Sequence, residues 1–171
     1  ALMTLPAAVQ ASSSGTVADY FRFEAKAGQV ISVDVLAARI NSVMDPVVRL
    51  IAANGAELAY ADDSDGLGAD ARVQAKIPSD GQYVVEVFDS KYAGNLPYYV
   101  RIGEFPLATT TLPASVQVGE DRDVSFSGAG ASGLTAKIAM GTMLAGDDIR
   151  AGAKIPNGTI SGFARARASS G

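Results

Sequence analysis

The 171-residue chain contains no cysteine, no histidine and no tryptophan. Without cysteine there is no disulfide framework and no thiolate metal site. Without histidine there is no imidazole ligand and no His-dependent triad or dyad. Basic residues are also too few to set up an attractive field for nucleic acid: 14 lysines and arginines stand against 18 acidic residues, for a net charge of -4. Long apolar runs are missing as well. The opening ALMTLPAAVQASSS has neither a basic n-region nor a stretch near the ~20 apolar residues of a membrane span. Any export signal is therefore expected outside this sequence, the alternative being a cytosolic protein.

What the chain does have is period-two alternation punctuated by turn residues, the pattern of an all-β sandwich. In TVADYFRFEA, Phe21, Phe23 and Ala25 fall on one face with Val17 and Asp19, and Tyr20, Arg22 and Glu24 on the other. KAGQ follows as a turn, and QVISVDVLA then sets Ile31, Val33 and Val35 inward with Ser32 and Asp34 outward. Asn54-Gly55 marks a hairpin between VVRLIA and ELAYA. ARVQAKI, QYVVEVFDS and YYVRIGEF read as further strands, all expected to pair antiparallel.

The alternation stops around GEFPLATTTLPAS, where Pro106, three threonines and Pro113 predict an extended connector. Two modules are expected, residues 1–106 and 107–171. The second, with short strands such as RDVSFSG, LTAKIAM and TISGFARARA, is small for an independent core, so it is expected to pack on its neighbour or to be incomplete. Two echoes link the halves: TLPAAVQ at Thr4 returns as TLPASVQ at Thr111, and DARVQAKIP at Asp70 returns as DIRAGAKIP at Asp148. Their offsets differ, which excludes simple tandem duplication and leaves related β units or the same local solution used twice.

The candidate site residues are few. YADDSDGLGAD places Asp62, Asp63, Asp65 and Asp70 within nine residues. Calcium takes several hard oxygen ligands from flexible loops, but setting Gly66 at the invariant glycine of an EF-hand puts Arg72 where the bidentate Glu must stand. A non-EF calcium site from these four aspartates, joined by Asp45, stays open beside the plain reading that they cap turns. A paired-carboxylate hydrolase would need one acid in apolar surroundings, which an exposed loop does not supply. GAGASG at Gly128 matches G-x-G-x-x-G in letters, but with no helix or βαβ unit around it a turn is expected. The serine runs have no base. Tyr92 and Tyr99 are candidates for a ligand rim, while alternation puts Tyr98 in the core with Val100 and Ile102. FARARA, with Phe163, Arg165 and Arg167 on one face, reads as a charged edge strand.

Taken in order, ADYFRF, AGQVISVDV, MDPVVRLI, NGAELAYADD, DGQYVVEVFD and YYVRIG resemble the bacterial pre-peptidase C-terminal domain over about residues 1–105. The resemblance implies a jelly-roll-like β-sandwich outside the cell or in its envelope. It further implies a non-catalytic role beside neighbouring domains of the same polypeptide, in binding, secretion or processing. Collagen binding and calcium on the N-terminal side occur in some members. Only Asp19 stands where that calcium pattern places an acid, with Thr16 three positions before it. The tail from Phe105 resembles the start of an immunoglobulin-like module. The expected function is thus an accessory binding or spacer module, with calcium or no cofactor, and with an extracellular protein or polysaccharide as partner. The alternatives are a carboxylate-dependent hydrolase and a structural surface repeat without ligand.

Overall fold

The computed structural model describes residues 2–139, 144–155 and 164–170. The chain divides into two compact units, Ala1–Glu104 and Phe105–Gly171. The first contains β1 (Leu2–Met3), β2 (Ala7–Ser14), β3 (Asp19–Ala25), β4 (Val30–Leu36), β5 (Pro46–Ala52), β6 (Glu57–Ala61), β7 (Arg72–Lys76), β8 (Gly81–Asp89) and β9 (Gly94–Gly103). They form a five-stranded sheet ordered β1-β3-β8-β5-β6 and a four-stranded sheet ordered β2-β9-β4-β7.

Alternation decides what lies between the sheets. Phe23, Leu50, Tyr83, Val85 and Val87 from one sheet join Ile31, Val33, Val35, Tyr98, Val100 and Ile102 from the other in a single buried cluster. Each large apolar side chain withdrawn from water in this way contributes about 1.5–3 kcal/mol before entropy is counted. The Asn54-Gly55 hairpin forms as its sequence predicts, with Gly55 at φ 84° and β5 antiparallel to β6.

Ser32 and Asp34 correct the sequence reading, because they are fully buried although they point away from the core. Asp34 is enclosed by arginines, which alternation cannot reveal. Pairing is also not wholly antiparallel: β1 runs parallel to β3.

The second unit contains β10 (Thr110–Gln117), β11 (Arg122–Ser127), β12 (Thr135–Ile138), β13 (Asp148–Ala151) and β14 (Ala164–Ser169), in one sheet ordered β12-β11-β10-β14-β13. The connector expected at TTTLPAS is therefore largely strand, and Leu107 N already bonds Ala129 O within this unit. β10 pairs antiparallel with β11 up to Leu112, and parallel with β14 at Thr110 and again from Ser115, the register shifting in between. Pro113 lies in that irregular stretch, where a missing N–H is tolerated. Pro6 stands between β1, in one sheet of the first unit, and β2, in the other. The two TLPA stretches share a cis Leu-Pro bond, but Pro113 lies within one strand and Pro6 between two.

Arg165 and Arg167 face solvent, and Ala164, Ala166 and Ala168 are buried. Their strand is not the expected edge, for it lies between β10 and β13; Phe163 lies outside the described residues. GAGASG forms the turn from β11 to β12, and at Gly128 a Cβ would sit 2.1 Å from Leu107 O.

Candidate functional site

The acidic loop joins β6 to β7, and the structure splits its four aspartates. Asp62, Asp63 and Asp65 are exposed, whereas Asp70 is fully buried. Asp70 Oδ1 accepts the backbone N–H groups of Ala37 (2.6 Å) and Ala38 (2.7 Å), and Oδ2 accepts that of Arg39 (3.2 Å) and the Arg39 Nε–H. It thereby caps the short 3-10 turn Ala38–Ile40 from another segment of chain. Ser64 ties the loop across its base, its Oγ accepting Arg72 N–H at 2.8 Å and its own N–H donating to Asp70 O at 3.1 Å.

Arg39 continues inward, with Nη2 at 2.6 Å from Asp34 Oδ1, and Arg72 Nε reaches the same oxygen at 2.8 Å. Asp34, Asp70, Arg39 and Arg72 thus make a buried set of two acids and two arginines, with the half-buried Arg101 across from Asp34. Desolvation by itself would raise the Asp34 carboxyl; Arg72 and Arg39 outweigh it and hold it below the usual carboxylate value. Paired in this way, the buried charges are tolerated, but each depends on the others being present.

Asp45 belongs to a different loop. At the start of β5 it accepts Ser90 Oγ–H at 2.7 Å, and its own N–H donates to Asp89 Oδ1 at 3.0 Å. Asp89 Oδ2 also accepts the N–H groups of Lys91 and Ala93, each at 3.0 Å. Burial pushes the Asp89 carboxyl up, but these backbone donors bring it below its ordinary value. Asp89 is the anchor of the β8–β9 loop.

Asp19, the acid of the resemblance, is also engaged. Ser14 Oγ donates to one of its oxygens and Tyr98 Oη donates to the other at 2.7 Å. Burial first, and Asp19 second, push the Tyr98 phenol well above the usual tyrosine value. Of the acids considered for calcium, Asp70, Asp45 and Asp19 already serve N–H, O–H or guanidinium partners. Among the described residues, no three acidic side chains gather where they could hold a metal ion.

Tyr92 and Tyr99 do not share a rim. Tyr99 leaves β9 opposite the inward Tyr98 and Val100, on the outer face of the four-stranded sheet. Tyr92 stacks on Phe88, their ring centroids 5.6 Å apart, and Phe88 leaves β8 on the outer face of the other sheet. Tyr20 and Tyr60 stand on that same outer face, in β3 and β6, and both are more than half exposed. The alternation of ADYFRF already placed Tyr20 outward; what was missing was the strand order that brings these tyrosines together.

A shallow groove of about 570 Å³ lies at the β3–β4 and β7–β8 turns, lined by Glu24, Lys26, Gln29, Asp80 and Gln82. Its polar groups largely serve the turns: Asp80 accepts Ala27 N–H at 2.8 Å and Gln29 accepts Lys26 N–H at 2.6 Å. No helix among the described residues is long and apolar enough to cross a membrane.

The first unit is therefore an all-β sandwich module whose buried charges brace loops and turns. Its residues 17–89 match the family model of the bacterial pre-peptidase C-terminal domain. The matched stretch runs from the residues before β3 to the end of β8 and contains all four members of the buried charge set. A probable subtilase-type serine protease of Deinococcus radiodurans is 41% identical over 70 residues, which are 40% of this chain and 9% of that protein. The chain thus spans under a tenth of the length of that relative. The solved pre-peptidase C-terminal domain of a Bacillus anthracis collagenase is 18% identical, with a TM-score of 0.45, over 59% of this chain and 91% of that one. The periplasmic g-type lysozyme inhibitor PliG of Aeromonas hydrophila is also 18% identical, with a TM-score of 0.43, over 60% and 92%.

Proposed function

We propose that the first unit is a non-catalytic accessory module of a secreted or cell-surface bacterial protein with several domains, and that it binds rather than reacts. The observation that carries this reading is the family match at residues 17–89. The protease relative, in which the similar segment is a small fraction of the chain, supports a role beside neighbouring domains. The buried acid of the loop points the same way: Asp70 is engaged by Arg39 and by three backbone N–H groups, which supports a bracing role.

Two finer parts belong to the proposal. Leaving β1 aside, the order β2-β9-β4-β7 opposite β3-β8-β5-β6 is the one expected of a jelly roll. In the second unit, a first strand that pairs antiparallel with the next and parallel with the last supports an immunoglobulin-like reading. Calcium is not needed in this proposal, in which Asp70 and Asp45 serve protein donors.

Deleting residues 1–104 from the full-length protein tests the reading. A neighbouring catalytic domain should keep its turnover of a small soluble substrate while retention at the envelope or yield in the medium falls. Turnover of ester, peptide or glycoside substrates by the 171-residue chain alone would overturn it, as would a deletion without effect on location.

A further inference from the structure

Three of the six tyrosines share the outer face of the five-stranded sheet. Register makes the arrangement explicit: Tyr20 lies across from Glu86, Glu86 from Arg49, and Arg49 from Tyr60, in one row over β3, β8, β5 and β6. Three strand intervals separate the two tyrosines by about 14 Å. One inward-outward repeat further along β8 stands Phe88, with Tyr92 laid almost parallel upon it, the planes 9° apart.

Tyr20 and Tyr92 are held in place. Tyr20 Oη donates to Glu86 Oε1 at 3.0 Å, Arg49 Nη1 donates to Glu86 Oε2 at 2.9 Å, and Arg49 Nε donates to Glu57 at 2.7 Å. Tyr92 is held at φ 57°, in the left-handed region that a bulky residue rarely occupies. Its loop is held by Asp89 and by Ser13, whose Oγ donates to Ala93 O and accepts Leu96 N–H. A backbone that would suit glycine or asparagine has been spent on presenting an aromatic ring to solvent, where 55% of Tyr92 remains exposed.

We propose that this face binds a neutral, extended polysaccharide, with Tyr20, Tyr60 and Tyr92 stacking on the apolar faces of its sugar rings. The proposal deepens the reading of the unit as a binding module and rests on it. An anionic polymer is disfavoured at the centre of the face, where Arg49 is paired with both Glu86 and Glu57 and one negative charge is left over. A sugar polymer fits better than a peptide because β3, β8 and β5 each have a strand on both sides, so their backbone groups are committed to ladders. What the face offers is flat rings, which take C–H faces, and the polar atoms of Glu86 and Arg49, which take hydroxyls.

The test is retention of the 171-residue chain on insoluble cellulose, chitin and β-1,3-glucan, with fibrillar collagen as the protein control. Tyr60→Ala and Tyr92→Gly should each weaken retention on the preferred polysaccharide about tenfold. Tyr99→Ala, on the other sheet, should leave it unchanged. Tyr92→Gly relieves the left-handed backbone, so its melting temperature should hold or rise while binding falls; a ring that merely packs the loop would give the reverse. No retention on any of the three polysaccharides, equal retention by all variants, or retention on collagen alone would overturn the proposal. The deletion result at the envelope is independent of these outcomes, so failure here and failure of the accessory reading are told apart.

Discussion

Arg72 Nε meets Asp34 Oδ1 at 2.8 Å across the β7–β4 ladder, with side chains 3% and 0% exposed. The contact lies on the outward side of its sheet and yet is dry, because Arg39 lies against Asp34 and Asp70 holds Arg39. Acidic loop, 3-10 turn and sheet are thereby joined through charges buried together.

Removing Asp34 takes the buried carboxylate from both Arg72 Nε and Arg39 Nη2. Asp34→Ala should therefore cost about 3–5 kcal/mol in urea unfolding of the first unit. A replacement of the whole set by apolar residues of similar volume should cost far less. Equal losses for the two variants would mean that packing, rather than charge pairing, carries the effect.

Acid should act through the same carboxyl. Asp34 and Asp89 both titrate below their ordinary value when folded, so their contribution is present above the unfolded value of about 3.9 and is lost as pH falls through the folded ones. The urea midpoint should be nearly flat from about pH 5 to 8 and drop below about pH 4. Asp89→Asn should make that drop shallower. An unchanged acid limb would contradict the assignment.

Metal removal separates the loop aspartates. EDTA should leave the melting temperature unchanged, and Asp63→Ala should be nearly silent, as an exposed change usually is, within about 0.5 kcal/mol. Asp70→Ala should be costly, since it removes the acceptor of the Arg39 Nε–H and of three backbone N–H groups. A calcium-dependent rise in melting temperature that Asp63→Ala abolishes would restore the metal reading.

Gly128 is a sharp test of the second unit. Its φ of 129° and the carbonyl of Leu107, 2.1 Å from where a Cβ would stand, leave no room for a side chain. Gly128→Ala should destabilise this unit by a few kcal/mol and expose it to proteolysis. A fragment near residues 1–104 should survive digestion; equal loss of both units would argue against independent stability.

Much of the architecture was legible because strand alternation is local. Phe21, Phe23 and Ala25 announce their inward face within one heptapeptide, and Asn54-Gly55 announces its hairpin in two residues. The absence of histidine and cysteine likewise bounded the chemistry with no structure at all. Other features depend on partners far along the chain. Asp34 reads as an outward polar residue until Arg72, 38 positions on, and Arg39, itself held by Asp70 from 31 positions on, close over it. Asp70 reads as one of four loop aspartates until the fold turns it inward. Tyr20, Tyr60 and Tyr92 are unremarkable singly and become one face only through the order β3-β8-β5-β6. Sequence determined which side of each strand is apolar, since the backbone alone imposes that period. Tertiary structure decided which polar groups meet, since that depends on strand order and register set by the packing of the whole unit.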